Sequence, residues 1–527
     1  MIEKVKRILG IAPPKTGNKL VISVEKLERR VALLENGRLE EYSVERNSTR
    51  NIVGSVYKGK VRNIEQGLKA MFGDIGFEKN AFLHFWDAIP AALDSGIEEI
   101  DRPEKSSGRP KQKRITANDI PSIYPVGSEV IVQVTKGPIG TKGPRVTTNL
   151  SFAGRYLVFM PFSERSGISR KIEDPKERDR LRKILRTLDI PEGVGVIIRT
   201  VGEGQRARYF VRDLGMLVEQ WAKVEQAMKE NAAPSRVFEE PDLVDRTVRD
   251  FLTDEIDEVI CDDRAAIERM NEMVGQISRR ARSRIKFYDG AAPIFETFGI
   301  QKQIDDAFHR QVWLRCGGYI VFDETEALVA IDVNTGRNKG GRDVEKTILQ
   351  TNLEAADEIA RQLRLRNVGG LIIGDFIDMK SRKDQQMVYN LMKERLKRDK
   401  AKTHVLPLSA LGLMEMTRQR AQESLSDSIY ENCPYCQGRG VVKTSMTTSV
   451  ELHRTLNTVM RKYQDTIHEI RVILNPDVLK RLKEEDEEFL VELERRYAGR
   501  LLFRGDASYH HEKFMITDAA SGAELKA

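Results

Sequence analysis

The chain has 527 residues, of which 40% are hydrophobic and 32% are charged, so it is long enough for several domains with buried cores. Its 87 lysines and arginines exceed its 80 aspartates and glutamates only modestly, which favours a polyanionic partner weakly. No apolar run approaches a bilayer span and no secretory signal opens the chain, so we expect no membrane span. The four cysteines are too few and too uneven for a disulfide framework, which predicts a reducing, cytoplasmic compartment.

The first predicted elements are short strands. Apolar runs at 20–24 and 30–34 are followed by Asn36-Gly37 and a further strand-like run to Val44. Asn-Gly between such runs is a strong hairpin signal. A small antiparallel sheet is therefore expected to open the chain.

Between about residues 51 and 150, short strands punctuated by glycine predict a small barrel. Barrels of the OB type bind single strands by stacking bases on aromatic rings and contacting phosphates with basic groups. Phe72 and Phe82 are candidate stacking residues, and Lys142 is a candidate phosphate contact. The alternative is that both phenylalanines belong to the core. The basic run at 102–114 lacks apolar periodicity and predicts a disordered loop that adds non-specific RNA affinity.

The segment from 150 to about 240 contains a charged helical stretch at 176–188 and a buried strand at 195–198. The strand ends at Arg199 and Thr200. An arginine at a strand end can bind a phosphate through two parallel hydrogen bonds, and the hydroxyl adds a donor. The alternative is an ordinary pair of surface hydrogen-bonding residues.

Residues 245–285 are charge-rich and predict a helical scaffold with one apolar face. That face would be formed by Val248, Phe251, Leu252, Ile256, Val259 and Ile260. Cys261 is expected to be a buried structural thiol. Nothing near Cys316 in the sequence indicates a nucleophile.

Two apolar runs that each carry a carboxylate near their end lie between residues 326 and 379. Leu328–Asn334 and Leu371–Asp378 predict strands buried on both faces. The helix between them repeats apolar residues every three or four positions, at Ile348, Leu349, Leu353, Ala356, Ile359, Ala360 and Leu363. A strand, helix and strand of this length form a right-handed parallel crossover. Asp332 and Asp375 are therefore expected to meet at the ligand-binding edge of a sheet.

Two carboxylates at one edge repel each other unless a cation lies between them, and Mg²⁺ is commonly held by one or two carboxylates with water and substrate phosphate. Asn334 would orient a ligand or a metal-bound water. The following loop carries Arg337, Lys339 and Arg342 among glycines, which suits phosphate. These features suggest metal-assisted attack on a phosphodiester. The alternative is that the aspartates only cap helices or bond to loops.

Cys433-Pro434-Tyr435-Cys436 and the glycines after it allow two sharp interpretations. The four residues alone match a glutaredoxin active site, where the first thiolate lies at a helix N-terminus. The glycines instead favour a zinc knuckle, which would supply half of a four-cysteine site and so indicates a second copy of the chain. Completion within one chain by His453 or His404 is left open, as is an unligated pair.

The tail beyond Thr444 alternates helix, strand, helix and strand. Helices are predicted near 450–463 and over 476–497, and strands at 470–474 and 501–503. This segment shows no chemical constellation, so a small packing or oligomerisation domain is expected.

Three stretches together resemble the ribonuclease E/G family. They are Ala330–Asn334, Asn352–Arg366 and Asp375–Met379, and they follow a small RNA-binding barrel in the order that this family shows. The resemblance covers nearly the whole chain. Without a long disordered extension, the chain resembles the short ribonuclease G form more than the long scaffolding form.

The resemblance implies a multidomain α/β fold. Its parts would be a split RNase H-like subdomain, an inserted S1-like OB barrel, a 5′-sensor region, a DNase I-like catalytic α/β subdomain, a zinc knuckle and a small C-terminal α/β domain. The implied boundaries, in chain order, are 1–50 for the first RNase H-like part, 51–148 for the barrel, 149–244 for the sensor region, 245–307 for the second RNase H-like part, 308–429 for the catalytic subdomain, 430–443 for the knuckle and 444–527 for the last domain.

It also implies a Mg²⁺-dependent endoribonuclease of RNA processing and decay that prefers A/U-rich single strands and leaves 5′-phosphate and 3′-hydroxyl ends. Asp332 and Asp375 would hold Mg²⁺, and Asn334 would assist. Phe72, Phe82 and Lys142 would grip the RNA, while Arg199 and Thr200 would recognise a 5′-monophosphate.

Two further implications concern the phosphate sensor and the assembly. Lys402 stands where the family's sensor usually has arginine, which keeps the charge but loses the planar fork. Cys433 and Cys436 would share a structural zinc between two subunits, which predicts a homodimer and leaves a homotetramer open.

Two other functions remain as alternatives. A non-catalytic RNA-binding protein would keep the barrel without hydrolysis, although the presence of Asp332, Asn334 and Asp375 disfavours it. A redox protein would instead act through Cys433 and Cys436.

Overall fold

The computed structural model describes residues 17–47, 52–89, 97–100, 116–138, 142–163, 165–251, 256–277, 282–325, 327–337, 344–419, 424–425 and 429–526. The chain divides into two compact units, residues 1–426 and 427–527. Within those described ranges, no helix combines the length and apolar character that crossing a membrane requires. The basic loop predicted at 102–114 lies outside the described residues, and so do Lys339 and Arg342.

An antiparallel sheet opens the first unit. Its strands are β1 (Lys19–Val24), β2 (Glu28–Glu35) and β3 (Arg38–Arg46). Asn36 and Gly37 connect β2 to β3 with φ values of 51° and 81°. Positive φ at both residues is what a two-residue type I′ hairpin requires. The predicted hairpin is confirmed.

The next strands close into a small barrel, as predicted. They are β4 (Val56–Glu65), β5 (Ala70–Asp74), β6 (Ala81–His84) and, after β7 (Ile97–Ile100) and the short helix α1 (Ile120–Ile123), β8 (Glu129–Lys136) and β9 (Arg145–Thr147). Strand β4 pairs with both β5 and β8, and β9 joins β6 to β8, which closes a five-stranded, OB-like barrel. Its interior is filled by small and aliphatic side chains that include Met71, Leu83, Val132 and Val146.

A second, mixed sheet follows the barrel. It contains β10 (Phe152–Ala153), β11 (Leu157–Pro161), β12 (Ser166–Ser169) and β13 (Val194–Ile198), with β7 at its edge. Helices α2 (Pro175–Thr187) and α3 (Ala207–Glu230) contribute Leu181, Phe210 and Leu217 to the core that this sheet also lines. The predicted charged helix is therefore confirmed. The predicted buried strand β13 ends directly before Arg199.

The chain then returns to the opening sheet. After β14 (Ser235–Phe238), which pairs with β4, the elements are α4 (Leu243–Phe251), β15 (Glu258–Cys261), α5 (Arg264–Ile277), β16 (Ile285–Phe287), α6 (Ile294–Thr297) and α7 (Ile300–Phe308). Strand β15 pairs parallel to β1, and β16 pairs with β15. The opening sheet is therefore completed by residues more than 200 positions later in the sequence.

The helical passage predicted over 245–285 is only partly correct. Helix α4 reaches into it and α5 lies within it, whereas Leu252 lies outside the described residues. Val259 and Ile260 lie in β15, because pairing with β1 outweighs the local helical pattern. Cys261, at the end of β15, is fully buried, and this burial raises the pKa of its thiol to about 12. The prediction of a buried structural thiol is confirmed.

The next sheet has six strands in the order β17-β18-β19-β20-β22-β21. The elements are β17 (Gln311–Trp313), β18 (Tyr319–Glu324), β19 (Leu328–Asn334), α8 (Val344–Leu365), β20 (Gly370–Asp375), α9 (Arg382–Leu396), β21 (Thr403–Val405) and β22 (Leu413–Arg418). Strands β19 and β20 are parallel neighbours, and α8 connects them. The predicted crossover is confirmed.

The prediction that these two strands are buried on both faces is wrong. In β19, Val329, Ile331 and Val333 are buried against α8 and α9, whereas Ala330 and Asp332 are exposed. In β20, Leu371 is 43% exposed, and Asp375 is also exposed. Helices therefore cover one face of the sheet, and we name the other, which carries Asp332 and Asp375, the open face.

The second unit is a three-stranded sheet with helices. Its elements are α10 (Ser445–Tyr463), β23 (Glu469–Leu474), α11 (Pro476–Glu484), α12 (Glu487–Tyr497), β24 (Arg500–Gly505) and β25 (Phe514–Asp518). The strand order is β24-β23-β25. The single helix predicted over 476–497 is divided at Glu485 and Asp486, and Leu482 and Leu490 on the two halves reach the same core. The sequence prediction missed β25.

Candidate active site

The two carboxylates singled out from the sequence lie side by side. Asp332 in β19 and Asp375 in β20 are register partners in the parallel ladder. Register partners project from the same face of neighbouring strands, which are about 4.8 Å apart. Both residues are exposed on the open face; Asp375 is the last residue of β20, and Asp332 lies two residues before the end of β19. The crossover thus brings together residues that are 43 positions apart in the sequence, from 332 to 375.

Asn334 is directly linked to this pair. Its Nδ2 donates a hydrogen bond of 2.7 Å to Oδ2 of Asp332. The bond fixes the amide so that Oδ1 of Asn334 is available as an acceptor. All three predicted residues therefore form one cluster.

The chemistry of this cluster suits a hard divalent cation. Among the described residues, no lysine or arginine forms an ion pair with Asp332 or Asp375. The same residues contain no group of three or more histidine, cysteine or acidic side chains that could hold a metal ion together. Two carboxylates alone do not encage Ca²⁺ or Zn²⁺, but Mg²⁺ keeps several waters and needs only one or two carboxylates beside substrate phosphate. The donor set therefore fits Mg²⁺ better than a metal that is fully enclosed by protein ligands.

A buried asparagine holds the segment after Asp375. Asn352 on α8 is fully buried, and its Nδ2 donates to the Ile377 carbonyl at 2.8 Å. Its Oδ1 accepts from the Ile377 N–H at 3.1 Å. This role of Asn352 was not predicted from the sequence, although an asparagine within the apolar side of a helix is itself a signal of a buried hydrogen-bonding partner.

The predicted stacking residues lie together on the barrel. Phe72 and Phe82 are register partners on β5 and β6, and their ring centroids are 5.7 Å apart in an edge-to-face arrangement. Both are only partly buried and neither belongs to the buried core of the barrel. Lys142 is exposed in the segment before β9. These placements favour a surface role for the two rings over a core role.

The predicted phosphate sensor contains a carboxylate that the sequence analysis missed. Arg199 Nη1 lies 2.8 Å from Oδ1 of Asp250 and donates to the Gly154 carbonyl at 2.6 Å. Burial alone would raise the pKa of Asp250, but Arg199 and Arg249 outweigh it and hold that pKa below its ordinary value. Thr200 is exposed beside this pair.

Lys400 also lies near this sensor and interacts electrostatically with Asp250 and Arg199. Its Nζ lies 3.1 Å from the ring centroid of Phe251, the neighbour of Asp250, and 3.5 Å from Oε2 of Glu41. Lys402, the residue that the sequence analysis singled out, is exposed one residue before β21. The structure therefore adds Lys400 to the basic residues of the predicted sensor.

The cysteine pair lies in a glycine turn of the second unit. The Gly440 N–H donates to Sγ of Cys436 at 3.3 Å, and this bond lowers the pKa of the Cys436 thiol. The nearest helix after the pair, α10, begins only at Ser445. Within the described part of the second unit, His453 does not join the cysteines in a group able to hold a metal. One chain thus presents two thiols in a turn rather than at a helix N-terminus.

The fold and the site together define a class, a multidomain α/β protein with an OB-like barrel and a strand-end carboxylate pair suited to phosphodiester chemistry. A model of the ribonuclease E/G family matches residues 151–421, and a model of the RNase E/G thioredoxin-like domain matches residues 432–519. The chain belongs to the ribonuclease E/G family. This membership confirms the predicted resemblance and the predicted enzyme class, an endoribonuclease of the ribonuclease E/G type.

Individual members of this family are similar to the chain over most of its length. The chain is 38% identical to ribonuclease G of Escherichia coli (strain K12) over 498 residues, which are 94% of this chain and 99% of that relative. It is 36% identical to ribonuclease G of Haemophilus influenzae over 499 residues, 94% of this chain and 99% of that relative. Against ribonuclease E of the same organism it is 36% identical over 507 residues, 96% of this chain but 52% of that relative.

Proposed function

We propose that this enzyme cleaves single-stranded RNA internally by a Mg²⁺-dependent hydrolysis and that Asp332 and Asp375 form its active site. The proposal is supported above all by the register pairing of these two exposed carboxylates near the carboxyl ends of parallel strands. Bound Mg²⁺ would supply an activated water and stabilise charge on the phosphate. Asp332 and Asp375 would hold the ion, and Asn334 would orient the attacking water through the amide that Asp332 fixes. The products would carry 5′-phosphate and 3′-hydroxyl ends.

The barrel is proposed to hold the RNA strand. Phe72 and Phe82 present two ring surfaces on neighbouring strands, which suits stacking of successive bases. Lys142 would contact a phosphate. Replacing either phenylalanine by alanine is expected to raise KM about 5- to 150-fold with little change in kcat, from the usual strength of base stacking. Unchanged KM in both variants would remove the barrel from the proposal.

The 5′ end is proposed to be recognised by Arg199 and Thr200, with Lys402 as the further basic residue. The ion pair of Arg199 Nη1 with Oδ1 of Asp250 at 2.8 Å supports this assignment, because a guanidinium that pairs with a carboxylate here is placed to pair with a phosphate. Initial rates on matched oligonucleotides with 5′-monophosphate and 5′-hydroxyl ends test the assignment. Arg199→Ala should remove the preference for the monophosphate, whereas Arg186→Ala, a matched loss of charge on α2, should keep it.

The cysteine turn is proposed to form half of an intersubunit zinc site. Two thiols in one turn, with a hydrogen bond from Gly440 to the second, suit a zinc knuckle and supply two of four tetrahedral ligands. A homodimer would complete the site. About half a zinc per chain and dissociation by a chelator are the expected results. Metal-free protein with a readily cycled disulfide would instead support the redox alternative.

The sheets are also proposed to correspond to the subdomains that the family resemblance implies. The sheet formed by β1–β3, β15 and β16 corresponds to the split RNase H-like subdomain, the barrel to the S1-like domain, and the sheet of β17–β22 to the DNase I-like catalytic subdomain.

The alternative function, RNA binding without catalysis, predicts retention of RNA affinity and no Mg²⁺-dependent cutting of a fluorescent 5′-monophosphorylated oligonucleotide. Cutting that disappears in Asp332→Asn excludes this alternative.

A further inference from the structure

A second pair of aromatic rings lies on the open face of the catalytic sheet. Trp313 on β17 and Tyr319 on β18 are register partners. Their ring centroids are 5.3 Å apart, and the rings meet edge to face at 61°. Trp313 is 54% exposed. Neither ring belongs to the buried core of this sheet, which takes Val312 and Ile320 from the same two strands.

The pair adjoins the proposed cutting site. Tyr319 is the register partner of Asn334, whose amide donates to Asp332. Trp313, Tyr319 and Asn334 therefore form one row across three neighbouring strands on the open face. With strands about 4.8 Å apart, the indole lies roughly 10 Å across the sheet from Asn334. A nucleotide beside the scissile phosphate would span the distance from Asn334 to the indole.

A basic residue completes the arrangement. The guanidinium carbon of Arg337 lies 5.6 Å from the centroid of the Trp313 ring. The Arg337 N–H donates to the Gly317 carbonyl at 2.9 Å, which ties the segment after β19 to the β17–β18 turn. Gly336 has φ of 55°, and an added Cβ would lie 2.6 Å from that same carbonyl. The close approach of the two turns thus requires glycine and fixes Arg337 beside the indole.

We propose that Trp313, with Tyr319 and Arg337, binds the base of a nucleotide that flanks the scissile phosphate. The geometry repeats that of Phe72 and Phe82, since each pair consists of cross-strand partners with rings edge to face and outside the core. Stacking on an indole tolerates any base, and Arg337 adds a cationic face and a phosphate contact. Trp313 is a positioning residue that keeps the RNA aligned with Asp332 and Asp375. This inference rests on the proposed cutting site.

An RNA base is a better occupant of the pair than a second copy of the chain. The rings border the proposed site of phosphodiester cleavage, and Arg337 gives their edge the charge that a polyanion requires. A protein partner at this place would block access to Asn334 and Asp332. Sedimentation of the Trp313→Ala variant tests the protein alternative directly.

The experiment combines a variant with a substrate scan. Full-length wild type, Trp313→Ala and Trp313→Phe are assayed on a set of single-stranded oligonucleotides in which each nucleotide around the cut is replaced in turn by an abasic residue. In wild type, one abasic position is expected to raise KM about 5- to 150-fold with kcat little changed. Trp313→Ala should raise KM on the intact substrate by a similar factor and be insensitive to that abasic position. Trp313→Phe should restore most of the wild-type behaviour.

A binding measurement separates this inference from the proposed function. In the Asp332→Asn/Asp375→Asn background, with Trp86 and Trp221 replaced by phenylalanine, single-stranded RNA is expected to quench the fluorescence of Trp313. If wild type cuts but no abasic position couples to Trp313, the stacking inference fails alone. If the Asp332→Asn/Asp375→Asn variant still cuts RNA, the proposed active site is wrong. The quenching of Trp313 fluorescence by RNA tests the stacking inference independently of cleavage. A dimer lost in Trp313→Ala, with no coupling and no quench, would assign the rings to a subunit interface and overturn the inference.

Discussion

Replacing Asn352 by alanine tests how the segment that follows Asp375 is held. The variant removes both hydrogen bonds that α8 makes to the main chain of Ile377, two residues beyond Asp375. An unsatisfied buried polar group costs about 1–3 kcal/mol. Because Ile377 is only partly buried, the lower part of that range applies to each group. We therefore expect a loss of about 2–4 kcal/mol in the free energy of unfolding.

The same change should slow the reaction more than it weakens RNA binding. Asp375 is held by the ladder on one side and by the Ile377 contact on the other. Freeing that contact moves its carboxylate relative to Asp332, and a displacement of about 1 Å can cost about 100-fold in rate. We expect kcat to fall at least about ten-fold, with KM changed less than about two-fold.

The assay is urea unfolding followed by single-turnover cleavage under conditions where every variant is folded. Gln350→Ala is the matched control, since Gln350 lies on the same helix but is exposed, and its Nε2 donates to Oε1 of Glu354 at 3.2 Å on that same helix. The control should keep wild-type stability within about 0.5 kcal/mol. A folded Asn352→Ala variant with wild-type kcat would refute the reasoning that α8 positions Asp375.

Further predictions concern the sensor and the thiols. Asp250→Asn keeps an acceptor beside Arg199 but removes the competing charge, so the ratio of kcat/KM values for 5′-monophosphate over 5′-hydroxyl RNA should rise several-fold; an unchanged ratio would contradict this competition. Because the folded pKa of Asp250 is lowered, the unfolded state binds the proton more readily, and the stability from this carboxylate is complete above about pH 4 and falls as pH drops through the folded pKa. Urea titrations should show that acid loss in wild type and a smaller loss in Asp250→Asn; equal slopes would contradict it. After chelation, iodoacetamide at pH 8 should label Cys433 and Cys436 but not Cys261, whose thiol is buried with a pKa of about 12, as mass spectrometry would show; rapid labelling of folded Cys261 would contradict its burial.

The parts of the structure that consecutive elements of the chain form together were predictable from the sequence. The crossover from β19 to β20 follows from two apolar runs and one amphipathic helix, and it alone brings Asp332 beside Asp375. The hairpin at Asn36 and Gly37 follows from two residues that accept positive φ. In each case the local pattern and the tertiary contact favour the same structure.

Contacts between distant segments could not be predicted in the same way. β15 contains an apolar run that also fits a helix, and only its pairing with β1 makes it a strand. Asp250 reaches Arg199 across 51 positions, from 199 to 250, and no local pattern indicates that contact. The exposed side of β19 was missed because Ala330 is apolar whichever face it occupies.

Asp332 and Asp375 are proposed to hold together the Mg²⁺ that RNA cleavage requires. The direct test is single-turnover cleavage of a fluorescent, 5′-monophosphorylated oligonucleotide across a Mg²⁺ titration, with RNA affinity measured separately. We expect cutting to require Mg²⁺, to stop on chelation, and to fall at least about 100-fold in both Asp332→Asn and Asp375→Asn while RNA affinity changes little. Undiminished cutting by the Asp332→Asn/Asp375→Asn variant, or cutting of RNA in the presence of chelator, would contradict the claim.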